Sequence, residues 1–258
     1  MEIVPFHTAG VRVDLVHPGG PALDLVIRVG AAMLAGTDAG PPDVVVHGDD
    51  VPDLRGDEGR VAALLLSSVE RRALQASPAL AVHAAAVSGP RGCLVLPGHS
   101  GAGKSTLAAA AMQEGLTLVS DEAACFIDPS GSLLPHPRPL SLSLVSRRLL
   151  GVDLPDDVDG EVGLPGDQFG ETARPETIQQ CVGIVLLRRS AGAVAGISSP
   201  IPKSAVLAEL LASRLRTSGP SAEQSWRYLT RLAADVWVAR LDYDHPRAGA
   251  SALAEALA

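Results

Sequence analysis

The stretch Gly98-His99-Ser100-Gly101-Ala102-Gly103-Lys104-Ser105-Thr106 decides the reading of this chain. It fits the pattern G-x-x-x-x-G-K-[ST] with Gly98, Gly103, Lys104 and Ser105. The apolar run Cys93-Leu94-Val95-Leu96 precedes it and the alanine-rich run Leu107 to Met112 follows it. Strand, loop and helix in that order are the context a phosphate-binding loop needs. Glycines let the backbone take positive φ and bring N–H groups against phosphate oxygens at the positive end of the following helix. Lys104 would bring a compact charge to the β- and γ-phosphates, and the Ser105 hydroxyl would bind Mg²⁺. The chain carries nineteen arginines and two lysines, Lys104 and Lys203. A planar guanidinium is a poor substitute for a point charge in such a cradle, so the lysine at this position is informative.

Outward from the loop, Glu114 and Gly115 close the helix, and Leu116-Thr117-Leu118-Val119 reads as a strand ending in Ser120-Asp121-Glu122. Seventeen residues separate Lys104 from Asp121. A loop, a helix and a return strand fit compactly in that interval, which brings Asp121 and Glu122 out beside the phosphates. Paired carboxylates there suit metal binding and orientation of a nucleophile. No Ser-Gly-Gly-Gln segment of an ABC-type ATPase occurs, and no Asn-Lys-x-Asp guanine-reading motif.

The loop, His83 on the strand before it, Gly115, and Leu118 to Glu122 together resemble the catalytic core of HPr kinase/phosphorylase, a family related in fold to phosphoenolpyruvate carboxykinases. The run from His83-Ala84-Ala85-Ala86-Val87 through Asp121-Glu122 to Pro137-Arg138-Pro139-Leu140-Ser141-Leu142 is similar to shorter HPr kinase-related proteins. Some of these phosphorylate a serine of a ribosomally made peptide, including lasso-peptide precursors. The likeness spans residues 80 to 145. It implies an α/β P-loop domain and an ATP- and Mg²⁺-dependent kinase acting on the serine of a protein or peptide. It also implies a catalytic set of Asp121, Lys104 and His83, with a hydrogen-bonded structural histidine at a strand start as the other reading of His83. Gly98, Ser100, Gly101, Ala102, Gly103, Lys104, Ser105 and Thr106 would bind the nucleotide, and Ser105 and Glu122 the metal. Asp121 inherits the proton-accepting role. The family has Asp-Asp where this chain has Asp121-Glu122, and the downstream glycine-rich segment associated with phosphorylase activity is missing, so dephosphorylation is not implied. A kinase for small hydroxyl compounds and a slow nucleotide-dependent switch share the loop residues and stand as rival readings. The related families often assemble, which makes a homo-oligomer an expectation.

The remaining chain frames this core. Its 258 residues are 47% hydrophobic and can bury a full core. A net charge of −8 with no dense basic cluster speaks against a nucleic-acid partner. No apolar run reaches the about 18 residues of a spanning helix. The amino terminus lacks a basic-then-apolar signal pattern. Cys93, Cys125 and Cys181 lie far apart among apolar neighbours and read as buried free thiols, so a cytoplasmic protein is expected.

Residues 1–78 read as a small β-rich lobe plus a linking helix, and 79–258 as the nucleotide domain. In the lobe, Val11 to Val16, Leu23 to Val29 and Val44 to His47 are β-like runs, and Glu58 to Gln75 has helical spacing. Residues 151 to 180 hold eight acidic residues against Arg174 and read as a mobile loop or solvated linker, from which Glu161 or Glu171 could reach the metal. Further strands are expected at Cys181 to Leu187 and Val236 to Leu241. Helices are expected at Lys203 to Leu215, after the capping box Ser221 to Gln224, and from Gly249. Arg138 reads first as a surface arginine and second as a substrate or phosphate contact. Asp242, Asp244 and His245 read as a polar turn, and Trp226 and Trp237 as core or lobe contacts.

Overall fold

The computed structural model describes residues 1–35, 40–51, 57–152 and 161–258. Near the amino terminus, strands β1 (Glu2–Thr8) and β2 (Val11–His17) form an antiparallel hairpin, and β3 (Val44–His47) adds parallel to β2. Ala9 and Gly10 make the tight connection, both at positive φ, as the two-residue hairpin turn requires. Alternation along β2 turns Val11, Val13 and Leu15 inward. They meet Leu23 and Val26 of α1 (Pro21–Val29) and Leu65 and Val69 of α2 (Glu58–Ala76) in a core of their own.

This region is mixed rather than β-rich, and the expectation of a strand at Leu23 to Val29 is overturned. Pro21 occupies the first helical turn, where its missing N–H costs nothing, and Leu23 and Val26 share one face at helical spacing. Helix α2 matches its expected span. The Asp57 carboxylate caps it from the Arg60 N–H at 2.8 Å, and Ser77 ends it before Pro78.

The remainder is an α/β fold. Strands β4 (Leu80–Gly89) and β5 (Gly92–Pro97) form a hairpin, followed by α3 (Lys104–Gln113), β6 (Thr117–Ser120), β7 (Ala123–Phe126) and β8 (Ser132–Leu134). Next come β9 (Leu140–Leu142), α4 (Leu144–Leu150) and β10 (Val162–Leu164), the two strands forming a separate antiparallel pair. The chain ends with β11 (Gln179–Arg189), β12 (Gly196–Ser198), α5 (Lys203–Ala212), α6 (Ala222–Asp235), β13 (Trp237–Tyr243) and α7 (Pro246–Leu257).

The main sheet runs β12-β13-β11-β5-β4-β7-β8, with β6 also beside β4. Strand β11 lies parallel to both β5 and β13, and its first residues also pair with β8, so the path β11-β5-β4-β7-β8 closes on itself. One face packs Leu94 and Leu96 against Leu107 of α3 and Leu253 of α7. The other packs Val82 and Val95 against Val206 of α5 and Leu229 of α6. Alanines 108 to 111 are buried all round α3, which lets neighbouring elements approach closely.

Several expectations change in the second half. Trp226 and Trp237 are 52% and 39% exposed, not core contacts, because they sit on the outer sides of α6 and β13. Helix α7 starts at Pro246, with His245 as its cap, rather than at Gly249. The acidic connection is neither a mobile loop nor a solvated linker over its described part. Residues 161–178 include β10 and a 3₁₀ turn, and the Leu118 N–H donates to the Glu171 carbonyl at 2.9 Å. Asp153, Asp156, Asp157 and Asp159 lie outside the described residues.

Candidate active site

Strand β5 delivers the chain to the glycine-rich loop, where Gly101 and Gly103 both adopt positive φ. Gly103 stands at the cap of α3 and offers no side chain to the first-turn N–H groups. Those donors are left for an acceptor from outside the helix, a setting that favours anions. Lys104 is buried, and its ammonium donates to the Gly98 carbonyl at 2.8 Å and the His99 carbonyl at 3.1 Å. The same Nζ lies 2.8 Å from His83 Nε2. An ammonium has only donors, so Nε2 accepts and the ring proton sits on Nδ1. Burial lowers the Lys104 pKa, and the charges of Glu122 and Asp121 oppose that shift.

Asp121 and Glu122 follow β6 side by side in very different surroundings. Asp121 is 1% exposed, and neither carboxylate oxygen has a hydrogen-bond partner. Burial raises its pKa to about 6, while the Ser105 hydroxyl and the Arg138 charge pull the other way. The Glu122 side chain is 41% exposed. Its Oε1 is 3.3 Å from His83 Nδ1 and its Oε2 is 2.9 Å from Arg138 Nη1. The His83 hydrogen bond, joined by the charges of Arg138 and Lys104, holds its pKa below the usual value despite partial burial.

His83, Ser100, Gly101, Gly103, Lys104, Ser105, Thr106, Asp121 and Glu122 line one cavity of about 510 Å³. Of the other residues assigned to the loop, Gly98 lends its carbonyl to Lys104, and Ala102 packs beside Gly98 rather than on the cavity wall. Thr106 is also tied to α4 through a 2.7 Å bond to Ser146. Glu161 borders this cavity and accepts from Ser141 Oγ at 2.9 Å, whereas Glu171 is not part of it.

Arg138 corrects the reading of a surface arginine. It is 20% exposed and bridges two carboxylates, with Nε 3.3 Å from Glu70 Oε2 and Nη1 on Glu122. Glu70 of α2 is the site residue that sequence reasoning missed. Burial raises its pKa to about 7, countered by Arg138 and reinforced by Glu122 and Asp121. His136 is buried two residues before Arg138, with Nδ1 2.5 Å from the Thr8 hydroxyl, and desolvation lowers its pKa to about 3. The polar-turn reading holds for Asp244 and His245, whereas Asp242 lies within β13, which runs two residues past the expected end at Leu241. Asp242 pairs with Arg188 and Arg240, and Asp244 accepts from the Gly192 N–H.

The helices of the described residues include none long and apolar enough to cross a membrane. No family model matches the chain, and no curated protein does. Among solved structures, the Hpr(Ser) kinase/phosphatase from Coxiella burnetii is similar at a TM-score of 0.32 and 14% identity, over 69% of this chain and 87% of that one. A likeness so distant bears on no residue's role.

Proposed function

We propose that the chain is an ATP- and Mg²⁺-dependent kinase that transfers the γ-phosphoryl group to a serine hydroxyl of a protein or peptide. The observation that carries this reading is the convergence of the Lys104 ammonium, the Ser105 hydroxyl and two unlike carboxylates, one shut in and one open, on a single cavity. The residues fit the cofactors. First-turn N–H groups of α3 without a side-chain cap suit phosphate oxygens, and Asp121 keeps two buried oxygens without a partner beside Ser105. The described residues hold no cluster of three or more His, Cys, Asp or Glu able to hold a metal alone. A Mg²⁺ that shares phosphates and waters needs only one or two protein carboxylates. When bound, MgATP supplies the phosphoryl group and the charge neutralisation.

The chain's own groups then have distinct work. Backbone N–H groups from Gly101 to Ser105 and the Lys104 ammonium hold the phosphates. The resemblance implies Asp121 as proton acceptor and Glu122 as metal ligand, and we propose the reverse. The Asp121 oxygens are enclosed and lie against Ser105 on the cavity wall, so Asp121 and Ser105 would hold the metal. Glu122 opens into the cavity, oriented by His83 and Arg138, and would orient the acceptor and take its proton. A carboxylate of ordinary pKa about 4 is a weak base for a serine hydroxyl, so the proton moves late, after the bond to the leaving oxygen has loosened.

The test incubates the protein with γ-labelled ATP, Mg²⁺ and serine-containing peptides and proteins, beside Lys104→Ala. Transfer to serine by the parent and loss of nucleotide binding in the variant are expected. A parent that binds ATP but labels no peptide or protein hydroxyl ends the kinase reading.

A further inference from the structure

A second cavity, about 810 Å³, opens between α1 and α2 on one side and the β9–β10 pair on the other. It shares Arg138, Ser141 and Glu161 with the cavity at the glycine-rich loop, so the two adjoin at these residues and together outline a trench. We propose that this cleft binds the acceptor as an extended polypeptide segment, with the acceptor serine at the Arg138 junction and the flanking residues running between α2 and β10. The inference rests on the kinase reading and names where its substrate lies.

Three features favour a polypeptide over a small hydroxyl compound. The walls mix apolar side chains, among them Leu25 and Val29 of α1, Leu66 of α2 and Val162 of β10, with polar ones such as Arg60 and Gln168, surfaces that suit the varied side chains flanking a serine. Strand β10 pairs only with β9 among the described residues, and its second edge is the one an added strand would use. Gly163 at its centre adds no side chain to that edge. Finally, the cleft adds about 810 Å³ to the about 510 Å³ at the glycine-rich loop, space that a small acceptor beside the γ-phosphate would not need.

The junction fits the chemistry. At Arg138 the trench passes Glu122, whose carboxylate is within 2.9 Å of the guanidinium. A serine hydroxyl there would form the new O–P bond to the γ-phosphorus as the bond from phosphorus to the β–γ bridging oxygen breaks. ADP leaves with that electron pair, and the hydroxyl proton passes to Glu122.

The experiment places bulk in the cleft at exposed positions of α2, with Ala63→Trp and Ser67→Trp. Neither position touches the glycine-rich loop. The probes are a nine-residue peptide library with one central serine and randomised flanks, and N-acetylserine amide as the small acceptor. The parent should label the library at least tenfold faster than N-acetylserine amide at equal concentration. Each tryptophan variant should lose at least tenfold in library labelling, through KM for the peptide, with labelling of N-acetylserine amide and acceptor-free ATP hydrolysis unchanged. Library labelling at the parent's rate in both variants overturns the cleft and leaves the kinase reading standing. A parent that labels no acceptor overturns the kinase reading, and the cleft falls with it.

Discussion

Arg138 reaches Glu122 across 2.9 Å, and the same guanidinium stands 3.3 Å from the buried carboxyl of Glu70. The helix joining the amino-terminal region to the sheet is thereby wired to the open carboxylate of the candidate site.

Removing Arg138 takes from the buried Glu70 carboxyl the positive charge that opposes its desolvation. Arg138→Met should destabilise the protein by about 3 kcal/mol, the scale for breaking a buried pair. Glu70→Gln in the same chain should recover more than about 1 kcal/mol of that loss, because a neutral amide needs no counterion. Urea unfolding of the parent, both single variants and the double variant closes the cycle. Strictly additive effects would show that Glu70 does not depend on Arg138.

The carboxylate division makes Asp121 and Glu122 separable. Asp121→Asn should weaken MgATP binding at least tenfold while binding of metal-free ATP changes little. Glu122→Gln should keep MgATP affinity within about threefold and lose at least a hundredfold in transfer rate, the range for a positioned base. Calorimetric titration with and without Mg²⁺, beside a single-turnover transfer assay, reads both. The opposite pattern would restore the assignment implied by the family resemblance.

His136 sets an acid limit on stability. Folded, it resists protonation down to about pH 3, while in the unfolded chain it takes a proton near pH 6.5. Between these values the unfolded state binds more protons, so stability falls as pH falls, by up to about 1.4 kcal/mol per pH unit from this residue. His136→Gln should flatten that slope between pH 4 and 6, whatever it costs at pH 7. Urea midpoints at four pH values provide the measurement. An unchanged slope would mean that the ring is protonated in the folded protein.

Gly103 tests the loop itself. Its φ is +87°, and an added Cβ would lie 3.0 Å from the Tyr243 hydroxyl. Gly103→Ala should cost about 1–2 kcal/mol of stability and at least tenfold in ATP affinity. Gly192, also at positive φ but with open space around it, is the control. Gly192→Ala should carry a similar conformational cost and leave ATP affinity unchanged, as thermal unfolding and nucleotide titration would report.

What the sequence disclosed was local. The loop, its flanking strand and helix, and the delivery of Asp121 and Glu122 could be read because glycine spacing and apolar runs encode them within about thirty residues of chain. Leu23 to Val29 could not, since a short apolar run fits a strand or a helix equally, and the better signal was Pro21 after Gly19-Gly20. Arg138 looked like a surface residue because its partner Glu70 lies sixty-eight positions earlier, on a helix whose pattern gives no reason for a buried charge. His136 meets Thr8 across 128 positions and was equally hidden. The acidic stretch misled through its composition, because its packing uses backbone groups such as the Glu171 carbonyl.

The pairing of β4 carries one more consequence. His83 faces Ala123 and Ala86 faces Ser120, so the register on β4 is shared across Asp121 and Glu122 as far as Ser120, beyond which a bulge shifts β6 by one residue. Removing or inserting one residue between Ser120 and Ala123 would turn one of these strands over, exposing its core side chains. On the β7 side the error would pass through β8 to the closing pairs with β11. The two acids can therefore be exchanged by substitution, whereas a change of spacing between Ser120 and Ala123 would need a further bulge to absorb it.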